Sequence, residues 1–389
     1  MNLRIASFQP LALSLLVTAS QPCIADDTPS QTDMWEIIQQ QQTEIEALKG
    51  SDSTGGNTGQ ASQTSHTSIG GYGELHYNNL EDNDGARKKE LDFHRFVLFF
   101  GHEFSDHIRF FSELELEHSI AGDGQKGEIE LEQAFLEFDI NQNLRARAGI
   151  FLIPVGILNE THEPNTFYGV ERNPVEKNIV PATWWAGGAE LAGSFGQGFS
   201  YNIGLHEGLN TSAANQYTVR KGRQKTSKAD VHDLAATGRI KWAGIAGLEL
   251  AASLQYQEDM TQGNDSQAGN AVLFETHAVF DRGPFGLRVL YAQWNLDGDG
   301  PEAVGADEQN GFYIEPSYKI NASLGIFARY NQWDNQAGNS SDSEKSQIDI
   351  GLNYWPHPDV VLKVDLQKQD YDSGTGELEG FNLGIGYQF

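Results

Sequence analysis

GELEGFNLGIGYQF, residues 376–389, separates two readings of this chain. Phe381, Leu383, Ile385, Tyr387 and Phe389 recur with a period of two and so share one face of a strand, while Asn382, Gly384, Gly386 and Gln388 share the other. One face is apolar and bracketed by aromatics; the other is small and polar. A soluble sandwich would bury the apolar face in a core, whereas a barrel in a bilayer turns it to lipid.

Composition and the N-terminus narrow the field. The formal net charge is -28, with Lys+Arg 26 against Asp+Glu 54, and the mean hydropathy is -0.47. After the N-terminus no stretch reaches the ~18 consecutive apolar residues of a membrane helix, which excludes a helical membrane protein but not a barrel, whose strands are apolar only at alternate positions. The acidity argues against a nucleic-acid partner. Asn2 to Arg4 gives a positive start, Leu11 to Val17 an apolar core and Cys23-Ile24-Ala25 a small-residue site, so residues 1–25 read as an export signal cleaved near Ala25. Ser20-Gln21-Pro22 suits a lipid-attachment site at Cys23 poorly. Cys23 is the single cysteine, which leaves the mature chain without disulfides or thiolate chemistry.

Within 26–50, Met34, Ile38, Gln41, Ile45 and Leu48 form an a/d seam of about two heptads, the pattern of a short periplasmic coiled coil of a dimer or trimer; a solvated amphipathic helix is the plainer alternative. Residues 51–67, rich in Gly, Ser, Thr, Asn and Gln, read as a flexible linker.

From residue 68 to 389 the period becomes two. Apolar alternation between turn residues predicts strands near 68–79, 90–104, 108–120, 127–140, 144–153, 187–195, 199–206, 230–242, 248–258, 271–281, 285–295, 311–320, 324–333, 346–355, 360–370 and 377–389, about sixteen in all. Short links (105–107, 141–143, 196–198, 244–247, 282–284, 321–323, 356–359) alternate with longer ones (80–89, 121–126, 154–186, 207–229, 259–270, 296–310, 334–345, 371–376). That asymmetry predicts an all-β fold, a transmembrane antiparallel up-and-down β-barrel with tight periplasmic turns and long external loops. Parity agrees. Arg109, Glu113, Glu115 and Glu117 oppose Phe110, Leu114 and Leu116, and Lys363, Asp365 and Gln367 oppose Leu362, Val364 and Leu366. A charge facing mid-bilayer lipid costs roughly 2–4 kcal/mol, so the charged parity faces a wet interior. In 128–139 that parity switches near Gln133 and Ala134, which predicts a bulge.

The longest link, PVGILNETHEPNTFYGVERNPVEKNIVPATWWA at 154–186, mixes apolar, aromatic and charged residues and should pack against something. Folded into the lumen it would narrow the pore with Glu160, His162, Glu163, Glu171, Arg172, Glu176 and Lys177; an external lid or a trimer contact is the alternative. Asp297-Gly298-Asp299-Gly300 resembles a calcium loop, but Pro301 breaks the ligand pattern. No G-x-S-x-G elbow occurs, and His206 and His277 have no serine partner in view, so no enzyme, metal or cofactor is expected.

Here RAGIFLIPVGILNETHEP at Arg147 to Pro164, GYGELHYN at Gly71 to Asn78 and ELEQAFLEF at Glu130 to Phe138 resemble the phosphate-selective porin O/P family of bacterial outer membranes. The resemblance covers about 68–389. It implies a homotrimeric, sixteen-stranded channel for passive diffusion of ions and small hydrophilic solutes, in contact with outer-membrane lipid, and a terminal Tyr387-Gln388-Phe389 that the outer-membrane assembly machinery reads. A structural protein or adhesin tethered by its periplasmic helix is the alternative. Phosphate preference in that family goes with a ladder of basic residues that cannot be matched residue by residue. Inward basic candidates Arg109, Arg145, Arg147, Arg239, Lys241, Arg288, Lys319, Arg329 and Lys363 are outnumbered by acidic ones, among them Glu113, Glu115, Glu117 and Asp365. A net acidic lumen favours cations unless basic groups cluster at the narrowest point.

Overall fold

The computed structural model describes residues 66–339, 343–371 and 377–389. The export signal, the coiled coil and all but the last residues of the linker lie outside these. Sixteen antiparallel strands close into one barrel in sequence order. They are β1 (Thr67–Asp82), β2 (Arg87–Ser105), β3 (Ile108–Glu117), β4 (Ile129–Asn141), β5 (Leu144–Leu152), β6 (Trp185–Phe195), β7 (Phe199–His206) and β8 (Ala235–Ile245), followed by β9 (Leu248–Gln257), β10 (Ala271–Arg282), β11 (Phe285–Leu296), β12 (Glu308–Asn321), β13 (Leu324–Asp334), β14 (Lys345–His357), β15 (Val360–Tyr371) and β16 (Leu378–Gln388). Pairing of β1 with β16, from Tyr72 opposite Gln388 to Asp82 opposite Leu378, removes the last free edge.

Each expected strand is present, with two local differences. The sequence pattern starts β8 at residue 230, but the Gln262 side chain accepts the His232 and Asp233 N–H groups, both at 2.8–2.9 Å, so that backbone is spent outside the ladder. The first external link is a tight turn rather than a long loop. β1 and β2 stay paired as far as Glu81 opposite Arg87, and Asp82 Oδ1 accepts the Asp84 and Ala86 N–H groups at 3.0 and 2.8 Å. The bulge in β4 falls at Glu132: Glu113 opposes Gln133 while Leu114 opposes Leu131. Glu132 and Gln133 therefore both serve the interior side, and Phe135 and Glu137 inherit it.

The outward parity carries exposed apolar side chains all round the wall, for example Leu136, Ile240, Leu254, Ile350, Leu366, Leu383 and Ile385. The inward parity is not uniformly wet. Against the β5 to β13 side lies a dry core in which Phe151, Ile153, Val155, Val175, Ile179, Val180 and Trp184 meet Leu209, Tyr217, Leu273, Leu290, Trp294, Tyr313 and Trp333. Most of the first set belong to the long link between β5 and β6, here loop L3. The barrel holds a hydrophobic core on one side of its interior, and the water path is displaced to the other. Even β16 follows this division. A Cβ on Gly384 would come within 3.2 Å of Val170, and one on Gly386 within 2.4 Å of Pro164. Those small residues seat L3 rather than widening the lumen.

Candidate pore constriction

L3 is anchored from within. Asn159 donates to the carbonyls of Ile153 and Trp184, both at 2.8 Å, and accepts the Trp184 N–H at 2.6 Å, which ties the two ends of the loop together. Pro174 opens a short helix, α1 (Pro174–Asn178), whose cap residue Asn173 accepts the Glu176 N–H at 2.8 Å. The buried Glu176 carboxylate accepts Ile157 N–H at 2.8 Å, Leu158 N–H at 2.6 Å and the Tyr313 hydroxyl at 2.8 Å. Its role is internal to the loop and its wall, not that of a charge offered to the passage.

Several residues expected to line the water path hold L3 instead. Arg329 bridges Glu315 at 3.1 Å and Asp349 at 3.0 Å and donates to the carbonyls of Tyr168 and Glu171. Asp365 accepts the Val170 N–H at 2.6 Å, Arg288 donates to the Thr166 carbonyl at 2.7 Å, and Lys363 lies 3.5 Å from the centre of the Phe167 ring. Arg239 pairs with Glu160. His162 sits between Glu113 at 3.2 Å and Glu132 at 3.5 Å. Burial opposes its charge, but the two carboxylates outweigh that and push its pKa up to about 10. Glu163 gives its carbonyl to the Thr166 N–H and hydroxyl.

Arg109, Arg145 and Arg147 form a separate wall network on Glu137, Asp139 and Glu190, with Arg109 to Asp139 at 2.7 Å and Arg147 to Glu137 at 2.7 Å. Lys241 pairs with Glu249 at 3.1 Å. Glu115 is buried beside Arg95, which also holds Glu74 at 2.8 Å.

The remaining passage runs between L3 and the wall of β1 to β4 and β14 to β16. Glu117, Glu130, Glu171, Arg172, Lys177, His76, His94 and Arg95 border it, joined by Arg220, Arg223 and Lys225 from the link between β7 and β8, here L4. Arg172 donates to the Thr183 hydroxyl at 2.7 Å and the His162 carbonyl at 3.2 Å. Arg220 donates to the carbonyls of Lys177 at 2.8 Å and Ala182 at 2.7 Å, and Arg223 donates to the Thr183 carbonyl. Three guanidinium groups thus converge on one short stretch of L3, and among the described residues none has a carboxylate in ion-pair contact. Burial, then the charges of Arg223 and Arg172, pull the Arg220 guanidinium down to about 9, as expected for a cation short of counter-charge.

Of the acidic residues opposite, Glu130 and Glu171 are matched, while Glu117 forms no ion pair among the described residues. Lys225 bridges Glu128 and Glu130, and Glu171 meets His76 at 3.1 Å. Hydrogen bonds and charge from His76 outweigh burial and hold Glu171 well below the usual carboxylate range. Arg220, Arg223 and Lys225 do not stand out in the sequence because a polar external loop reads as solvated; their one signal is density, RKGRQK at 220–225, in so acidic a chain.

Residues 69–389 match the family described as phosphate-selective porin O and P. A protein of Aquifex aeolicus (strain VF5), described as uncharacterized, is 32% identical over 343 residues, covering 78% of this chain and 76% of that protein. Among solved structures, the anion-selective porin from Comamonas acidovorans superposes with a TM-score of 0.60 at 14% identity, over 84% of this chain and 100% of that one. The trimer form of in-vitro folded OmpT of Vibrio cholerae gives 0.53 at 10% identity, over 83% and 99%. At these identities the structural likeness speaks for the fold alone.

Proposed function

The chain belongs to the phosphate-selective porin O and P family and is a bacterial outer-membrane channel for passive diffusion of solutes; we propose that L3 and L4 make its constriction weakly anion-preferring. The observation that carries this is the convergence of Arg172, Arg220 and Arg223 without carboxylate partners, across from acidic residues that are largely ion-paired. The chain is strongly acidic as a whole, yet the uncompensated charge where the passage is bordered by L3 is positive. Fields focus inside a low-dielectric wall, so local imbalance outweighs the total. Phosphate fits this chemistry as one anion among several, because guanidinium forks pair with oxyanions in bidentate fashion. A trimer is the assembly we favour, supported by the trimer form of a structural neighbour and by the a/d seam at 34–48.

The test is the reversal potential of the full-length protein in planar bilayers under a potassium chloride gradient, with phosphate as competitor. An anion-side reversal potential that moves toward cations in Arg172→Glu and Arg223→Glu supports the reading. A cation-side value in the wild type, or one indifferent to both substitutions, overturns the selectivity; a protein that forms no channel overturns the constriction itself.

A further inference from the structure

The passage also contains a cluster of histidines and carboxylates apart from the arginine cluster. His76 lies on β1, Asp92 and His94 on β2, His118 just beyond β3, and Glu171 on L3. A bulge brings them together. Glu74 opposes Arg95, but His76 opposes Asp92, so β2 carries an extra residue there, and Asp92, His94 and Arg95 all border the passage although simple alternation would part them. The His76 and His94 rings stack at 4.6 Å, and His118 stands edge-on to His94 at 5.7 Å.

We propose that His76, His94 and Glu171 form a seat for one divalent transition-metal ion of the zinc class, with Asp92, His94 and His118 as an adjoining alternative seat. In each set the ligand atoms lie within 4.8 Å of one another. His76 Nδ1 and Glu171 Oε1 are 3.1 Å apart, close to the ~3.3 Å edge of a tetrahedron built on zinc bonds of about 2.0–2.1 Å. In the other set Asp92 meets His118 Nδ1 at 2.8 Å and His94 Nδ1 at 3.1 Å.

The surroundings supply an independent argument. His76 Nε2 faces Glu74 at 3.2 Å, and Arg95 holds Glu74 in turn at 2.8 Å. A carboxylate on the far nitrogen holds a proton on Nε2, the outer-shell arrangement usual behind a histidine ligand, so an ion entering between Nδ1 and Glu171 would displace the proton those two share. Imidazole with carboxylate selects zinc, copper or nickel over magnesium and calcium, which prefer oxygen alone. The side chains of His94, His118 and Glu171 are 26%, 33% and 34% exposed, so an ion could enter from the passage and keep solvent ligands.

Because His94 belongs to both sets, the two seats are alternatives. The other candidate sets differ: Glu113, Glu132 and His162 are all buried, and Glu117, Glu128 and Glu130 contain no imidazole and have Lys225 bridging two of them. Glu171 of L3 already meets His76 and Asn78 of β1, each at 3.1 Å; a bound ion would add His94 of β2 to that link and narrow the passage beside it. That effect on conductance rests on the channel reading above; the binding itself does not.

The experiment is calorimetric titration of the full-length protein in detergent with zinc chloride, alongside bilayer recording before and after zinc. Binding that is lost in His94→Ala, retained in the periplasmic-turn control His357→Ala, and about 10–100-fold weaker in Glu74→Gln supports the seat. So do a zinc-dependent fall in conductance reversed by chelator and indifference to magnesium. Absence of zinc binding in the wild type, or equal binding in wild type and His94→Ala, overturns it. Binding with unchanged conductance keeps the site and overturns its narrowing of the passage, while a protein without basal conductance bears on the channel reading alone.

Discussion

Arg223 is held by the Thr183 carbonyl and lies over the Trp185 ring at 6.0 Å, so its charge is fixed in place at the passage instead of sweeping through solvent. A unit charge about 6 Å from a permeating ion is worth ~0.7–3 kcal/mol at effective dielectrics of about 80 to 20, which is roughly 3- to 100-fold in local concentration. Arg223→Glu reverses that charge. The ratio of chloride to potassium permeability, read from reversal potentials, is expected to fall several-fold, whereas the conservative Arg223→Lys keeps most of it. Glu176→Ala acts by another route: it strips two backbone N–H groups and the Tyr313 hydroxyl of their buried acceptor. Each orphaned group costs about 1–3 kcal/mol, so L3 should loosen and single-channel conductance should rise or flicker; an unchanged record would remove Glu176 from the anchoring set. At this scale the sequence tells which way Arg329, Lys363 and Asp365 point, since parity alone settles that. It does not tell that they are consumed by the L3 backbone, because those partners lie more than a hundred positions away in the chain.

L3 as an element was conspicuous because an apolar, aromatic and charged link of that length has to be packed somewhere. Its counterpart L4 was not, because Asn, Gln, Thr and Lys are as much at home in water as against a neighbour. The L3 contacts carry a pH dependence. Protonated His162 lies between Glu113 and Glu132, and its pKa is raised from the ordinary ~6.5 to about 10. A histidine whose folded pKa is raised stabilises the docked loop fully below about 6.5, and that contribution disappears as pH climbs through about 10. Current fluctuations attributable to L3 should therefore grow between pH 8 and pH 10.5, approximately across the titration. His162→Gln should show them already at neutral pH and respond less to the same rise. Equal traces for the two proteins at both pH values would detach the loop's stability from this imidazole.

For the whole molecule, alternation fixes which side chains face lipid and which face inward, and loop spacing fixes how the strands follow one another. Neither says what fills the interior, so a dry half with Trp184, Trp294 and Tyr313 at its centre was hidden behind an expectation of water throughout. Closure of the barrel was legible, and it yields a test of the seam. Gly71 exchanges two hydrogen bonds with Phe389, each 2.9 Å, and the Phe389 ring stacks near Phe96 at 6.3 Å. A Cβ on Gly71 would stand 2.2 Å from the Val97 carbonyl oxygen and 3.0 Å from the Phe389 ring. The first strand would have to move off either β2 or the end of the chain, at a cost of about 1–3 kcal/mol, the usual range for overpacking. Gly238 on β8 offers the comparison: the nearest atom to its Cβ is the Asn202 carbonyl oxygen at 4.0 Å, so Gly238→Ala should stay within about 0.5 kcal/mol of wild type. Gly71→Ala is therefore expected to lower the temperature at which the folded band is lost in gel-shift melting, and Gly238→Ala to leave it in place. If both variants melt with the wild type, the contact between Gly71 and Phe389 contributes nothing measurable to closure, and the stability of the seam must come from the longer β1–β16 ladder between Tyr72 and Asp82.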